Sequence, residues 1–187
     1  VWLRDLRDQG VIHLSYGFFS LEINARALER NSTDPGMPYE EAAPRYGAAF
    51  TALALARRIG GQTAVEALLV ALGRRRHDER REMDDLLLAE ASVEADVRLP
   101  TADELPELQA EILAAYAEAR SIDVFGVPTL QVGDHEVIYG PIIAVGPTGE
   151  DGLALWREVA GVTGRPGFFE LKRWPRSQKP GGIFVGA

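Results

Sequence analysis

The chain has no cysteine, so none of its 187 residues can act as a thiol. That removes disulfides, thiolate metal sites and a cysteine nucleophile from these residues. The three histidines, His13, His77 and His135, are too widely spaced to suggest a metal site. Carboxylates are plentiful, yet no pair stands out for acid–base work. Two stretches remain that could do chemistry. Arg74-Arg75-Arg76-His77-Asp78-Glu79-Arg80-Arg81 concentrates arginines that could grip phosphates. It could equally be a solvated helix end, where cations suit the dipole and Asp78, Glu79 and Glu82 neutralise part of the charge. The second reading is preferred, because no wider basic surface supports the first. The other stretch is Val124-Phe125-Gly126-Val127-Pro128-Thr129-Leu130-Gln131-Val132, a strand led in through an X-Pro bond. A cis bond there would mark a designed turn. A trans proline at a strand's first position is tolerated as well, and the residues alone favour it.

Composition sets the frame for these candidates. Hydrophobic residues make up 46% and charged residues 26%, ordinary values for one globular domain with room for an insertion. No apolar run approaches the roughly 18 residues needed to cross a bilayer, which predicts a soluble chain. A net charge of −8 repels nucleic acid and anionic membranes, so neither is expected as a partner.

The elements follow from periodicity. Val1 to Gln9 reads as an amphipathic helix, already under way at Val1 and ended by Gly10. Val11 to Phe19 reads as a strand, with Ile12, Leu14, Tyr16 and Phe18 alternating onto one face. After a turn cluster at Asn31–Gly36, the chain becomes helical. Tyr39 to Ile59 is Ala-rich, interrupted near Pro44 and closed by Gly60-Gly61, a helix junction rather than a phosphate loop. Thr63 with Glu66 suggests a new capping box, ahead of a Val65, Leu68, Leu69, Leu72 stripe. A shorter helix is expected over Glu82–Ala91. Another capping box, Thr101 with Glu104, opens a helix whose Leu105, Leu108, Ile112 and Tyr116 share a face. Pro128–Val132 and Glu136–Tyr139 then read as a hairpin turning at Gly133-Asp134. Thr148 with Asp151 caps a last helix, with Leu155, Trp156, Val159 and Val162 facing the core. Beyond Arg165 lie Phe168–Arg173 and a Pro- and Gly-rich end.

The order helix, strand, helical block, strand, hairpin, helix gives α/β with an all-helical insertion. Here the sequence resembles the DsbA-like branch of the thioredoxin superfamily, and particularly its actinobacterial mycothiol-dependent, FrnE-like group. Phe125–Gly133 resembles the cis-proline loop and strand, Tyr139-Gly140-Pro141 the hairpin end, and Gly149–Trp156 the last helix. Phe19–Glu22 resembles the end of the second strand, and Phe168–Arg173 the actinobacterial tail.

The resemblance implies a thioredoxin-like fold with an all-helical insertion, and a first β-strand missing from this chain. Residues 1–20 and 121–187 would form the discontinuous thioredoxin-like domain and 21–120 the insertion. It also implies a Cys-x-x-Cys pair at a helix N-terminus, where the dipole stabilises a thiolate. That pair would lie ahead of Val1, on a chain truncated at its N-terminus. The absent strand would be central, so Val11–Phe19 would lose its partner and the 187 residues alone would be marginally stable.

By resemblance Val127 and Pro128 are the catalytic-loop residues, with cis proline and the Val127 N–H and C=O binding an extended substrate. Thr129 is a candidate substrate contact or simply a good strand residue. Asn24 and Tyr39 are candidates for a pocket above the cysteines, or else a turn residue and a half-buried helix start. His77 either overhangs the site or is a surface residue of a charged run. The function implied is a DsbA-like thiol–disulfide oxidoreductase of the cytoplasm. It would bind no resident cofactor and would use mycothiol or another low-molecular-weight thiol as co-substrate. Its substrates would be disulfides or small electrophiles. The alternatives are a non-redox isomerase or kappa-class glutathione-transferase-like protein, which uses serine, and a cysteine-free binding module.

Overall fold

A computed structural model of the chain describes residues 1–134, 137–143 and 145–168. Among the described residues the order is α1 (Trp2–Asp8), α2 (Leu21–Glu29), α3 (Tyr39–Ala42), α4 (Gly47–Gly73), a π-helical turn (Arg74–Asp78), α5 (Asp85–Glu94), α6 (Leu105–Ser121), β1 (Thr129–Leu130), β2 (Ile138–Tyr139) and α7 (Gly149–Thr163). They fall into two compact units, Val1–Leu14 with the described residues from Gly126 on, and Ser15–Phe125.

In the first unit, α1 packs on α7 through aromatic and small residues. The Trp2 indole is buried, meets Trp156 edge-on at 6.1 Å and donates to the Gly152 carbonyl at 2.9 Å. Gly152 is needed for that approach, since a Cβ there would lie 3.1 Å from the Pro147 oxygen and 3.4 Å from the indole. The α7 N-terminus is capped from outside its own sequence. Thr148 makes no side-chain cap bond, and Asp5 of α1 instead accepts from the Gly149 N–H at 2.8 Å. A carboxylate suits that positive helix end. The hairpin is antiparallel, pairing Thr129 with Tyr139 and Leu130 with Ile138. This is the register that strands over Pro128–Val132 and Glu136–Tyr139 give when Val132 is set opposite Glu136. His135 and Glu136, and the tail beyond Phe168, lie outside the described residues.

The second unit is helical throughout. Thr51 to Ala56 of α4 are buried on every side, which Ala-rich sequence permits by letting neighbouring helices approach. Leu108, Ile112 and Tyr116 form the buried stripe of α6. The Gly60-Gly61 pair is the helix junction expected: Gly61 leaves helical geometry, at φ 63° and ψ −153°, and two helices of the Gly47–Gly73 span meet there across a kink. Glycine reaches that conformation without a Cβ clash, which is why the junction falls on it. Asp84 caps α5, accepting from the Leu87 N–H at 2.7 Å, and shifts the helix to Asp85–Glu94 from the expected Glu82–Ala91. Glu104 keeps half of the expected capping box by reaching back to the Thr101 N–H at 2.9 Å, but α6 starts only at Leu105.

The expected strand over Val11–Phe19 is not formed, because no neighbouring strand pairs with it among the described residues. Its side-chain alternation persists all the same. Ile12, Leu14, Tyr16 and Phe18 are half-buried or buried, while Val11, His13, Ser15 and Gly17 are exposed. One side chain stands in for a strand. The Gln62 carboxamide accepts from the Tyr16 N–H at 2.9 Å, and its Nε2 donates to the Tyr16 carbonyl at 3.5 Å.

Candidate functional site

The Val127–Pro128 peptide is cis, and so is Gly140–Pro141 across the hairpin. The Gly140 N–H donates to the Pro128 carbonyl at 2.9 Å and ties the loop to the end of β2. The Thr129 hydroxyl donates to the Gly126 carbonyl at 2.7 Å, bracing the loop from inside. It is thus committed to the backbone, whatever else it contacts. In an antiparallel ladder, hydrogen-bonded and non-hydrogen-bonded pairs alternate. Gly140 and Pro128 share a bond, so Thr129 and Tyr139 form the non-bonded pair, and the Thr129 backbone faces the open edge of β1. Val127, one residue before the proline, is 44% exposed, and its N–H and C=O have no hydrogen-bond partner among the described residues.

The other candidates belong to the helical unit. Asn24 is buried in α2, and its Oδ1 accepts from the Tyr116 hydroxyl at 3.1 Å. Tyr39 is buried at the start of α3, with its hydroxyl donating to the Gly47 carbonyl at 3.0 Å. Burial pushes the Tyr39 phenol above its ordinary pKa, and the Glu22 and Glu40 carboxylates add to the shift. His77 sits exposed in the π-helical turn. These three are not gathered around one point by any hydrogen bond to each other, and each has its own setting.

The arginine cluster is largely spoken for. Arg74 pairs with Glu94 and Glu79, Arg75 with Glu94 and Glu90, and Arg81 with Glu90. Glu90 and Glu94 are held below the ordinary carboxylate range, by Arg81 first in one case and Arg75 in the other. The turn therefore docks on α5 rather than offering bare cations. A cleft of about 510 Å³ lies elsewhere in this unit, lined by Glu22, Pro44, Arg45, Ala48, Ala49, Met83, Asp84, Asp85 and Leu88. Its carboxylates are partly used structurally, Glu22 accepting from the Arg45 and Tyr46 N–H groups and Asp84 capping α5. Among the described residues no group of acidic or histidine side chains is placed to hold a metal.

Periodicity and motif left Tyr139 as no more than the end of a strand. Its ring lies against Gly126, where a Cβ would come within 3.2 Å of Cε2. The strand bounds read from the sequence do set Tyr139 opposite Thr129, but nothing in the spacing shows that the ring crosses to Gly126.

A loop of this kind opening a small antiparallel sheet, followed by a helix and joined to an all-helical unit, is consistent with a thioredoxin-like α/β protein. The family is shown by comparison. A family model described as Rv2466c-like, mycothiol-dependent nitroreductase Rv2466c, matches residues 2–173, and the chain belongs to that family. It is also 31% identical over 178 residues to the uncharacterized protein Rv2286c of Mycobacterium tuberculosis, covering 95% of this chain and 75% of that protein. Among the described residues no helix is long and apolar enough to cross a membrane.

Proposed function

We propose that this chain carries the substrate-binding side of a DsbA-like thiol–disulfide oxidoreductase that works with a low-molecular-weight thiol of the mycothiol type. The observation that carries the reading is the Val127–Pro128 loop: Val127 is exposed, and its N–H and C=O have no partner among the described residues. An extended substrate segment satisfies such groups by lying along the edge as an added strand. Membership of a mycothiol-dependent family supports the choice of thiol.

The reacting cysteines lie N-terminal to these residues in this reading, since the chain itself contains none. A thiolate of that pair attacks one sulfur of a substrate disulfide, and the S–S bond breaks. The departing sulfur takes a proton, leaving a mixed disulfide that a second thiol resolves. The loop's part is to hold the substrate in line during that exchange. Among the described residues the backbone of Ile12–Ser15 has no hydrogen-bond partner, which fits pairing with a further strand. Thr129 braces the loop, Asn24 and Tyr39 shape the helical unit, and His77 is the member of this set whose side chain is open to a ligand. The compartment in this reading is the cytoplasm.

The test is to read the codons upstream of Val1 in frame, and to compare the extended protein with the 187-residue chain for turnover of mycothiol disulfide. A Cys-x-x-Cys pair, two titratable thiols and turnover only in the extended protein are expected. Turnover by the 187 residues alone, or a serine in the nucleophile position, overturns the proposal.

A further inference from the structure

We infer that Tyr139 is a specificity-determining residue of the Val127 edge, selecting ligands that carry a flat apolar group beside an extended amide. The inference rests on the loop reading above and adds a residue to it. Three observations converge on Tyr139. As the non-bonded partner of Thr129, its side chain stands on the same face as the Thr129 side chain, where cross-strand neighbours come closest. Gly126 has no side chain, and the ring leans across β1 into the space a Cβ would fill, 3.2 Å from Cε2. The Thr129 hydroxyl donates to the Gly126 carbonyl at 2.7 Å, fixing in place the residue that the ring covers. The ring is thereby carried across the hairpin to the residue preceding Val127.

The exposure pattern fits this role. Tyr139 stays 43% exposed although its ring is packed on Gly126, much like the 44% of Val127. A ligand amide pairing with the Val127 N–H and C=O would set its side group beside that ring. Aromatic faces favour flat apolar partners beyond simple area burial, by about three- to tenfold in affinity. Gly126 acts with Tyr139 as one unit, because any side chain at 126 would displace the ring.

The test uses the 187-residue chain with ¹⁵N-labelled amides. Two unreactive probes are titrated, N-acetylphenylalanine methylamide and N-acetylcyclohexylalanine methylamide, which share the amide and carry side groups of similar apolar area, flat in one and puckered in the other. Saturable shifts of the Val127 amide by both probes are expected, with the phenylalanine probe binding about three- to tenfold more tightly. Tyr139→Phe should keep that ratio, and Tyr139→Ala should bring it below twofold. If the alanine variant melts the hairpin, judged by the Gly140 amide, Tyr139→Leu retains apolar volume without a ring and should also fall below twofold. A Val127 amide unmoved by either probe would sink the loop reading together with this inference. Val127 shifts whose probe ratio is unchanged in Tyr139→Ala or Tyr139→Leu would overturn the role of Tyr139 alone.

Discussion

Asn24 and Tyr116 offer a measurable division between holding the helical unit together and touching a ligand. Tyr116 is 1% exposed and donates to the Asn24 Oδ1 at 3.1 Å. Asn24→Ala leaves the phenol hydroxyl buried without its acceptor, at a cost of about 1–3 kcal/mol. Tyr116→Phe strands the Asn24 carbonyl oxygen at a similar cost. Removing both groups strands neither, so the double variant should lose less than the two singles together, with a coupling of about 1 kcal/mol. At an m-value of about 2 kcal/mol/M, a 2 kcal/mol loss moves the urea midpoint by about 1 M. The assay separates the two units optically. Residues 15–125 contain no tryptophan, whereas Trp2 and Trp156 lie in the other unit. Far-ultraviolet circular dichroism therefore follows mainly the helical unit, and tryptophan fluorescence follows the surroundings of Trp2, Trp156 and Trp174. Strictly additive single losses would refute the reasoning, since the buried bond would then contribute nothing and Asn24 would be open for another task.

Glu104 and Gly61 offer two further tests. Glu104 is pulled down to about 2, chiefly by its hydrogen bond to Arg98 and then by the Thr101 N–H. Its folded pKa lies below its unfolded value, so the unfolded chain binds the proton first. The contribution is complete above the ordinary carboxylate range and fades as pH falls from there towards about 2. A side-chain carbon shift titrating Glu104 near the ordinary value would contradict this, and Glu104→Gln should flatten the acid limb of the melting profile. Gly61→Ala places a Cβ at φ 63° and should destabilise the α4 region by about 1–2 kcal/mol, whereas an unchanged or raised melting temperature would mean that Gly61 is not left-handed.

The parts legible in the sequence were those fixed by local period. The α1 and α6 stripes, the hairpin and the last helix are written in side-chain spacing, and the helices form wherever an apolar face has something to cover. Strand formation differs, because a strand needs a partner that its own residues do not encode. Residues 11–18 keep the period of two and still do not form a strand. The π-helical turn was hidden because Arg74–Asp78 gains its partners from Glu90 and Glu94, well along the chain. The loop at Val127 was readable as a motif, but the Tyr139 ring over Gly126 depends on how a side chain crosses the hairpin, which spacing does not encode. For Asn24 the obstacle was distance, since its partner Tyr116 is 92 residues away.

Gln62 has a consequence that reaches past the single residue it grips. By holding both backbone groups of Tyr16, it sets the phase of the run from Ser15 to Phe18. Substitutions at Val11, His13, Ser15 or Gly17 change only what solvent meets. Deleting Gly17 is another matter. With Tyr16 anchored, Phe18 would take the outward place of Gly17 and turn its ring out to water. The segment should accept many point changes and almost no change of length.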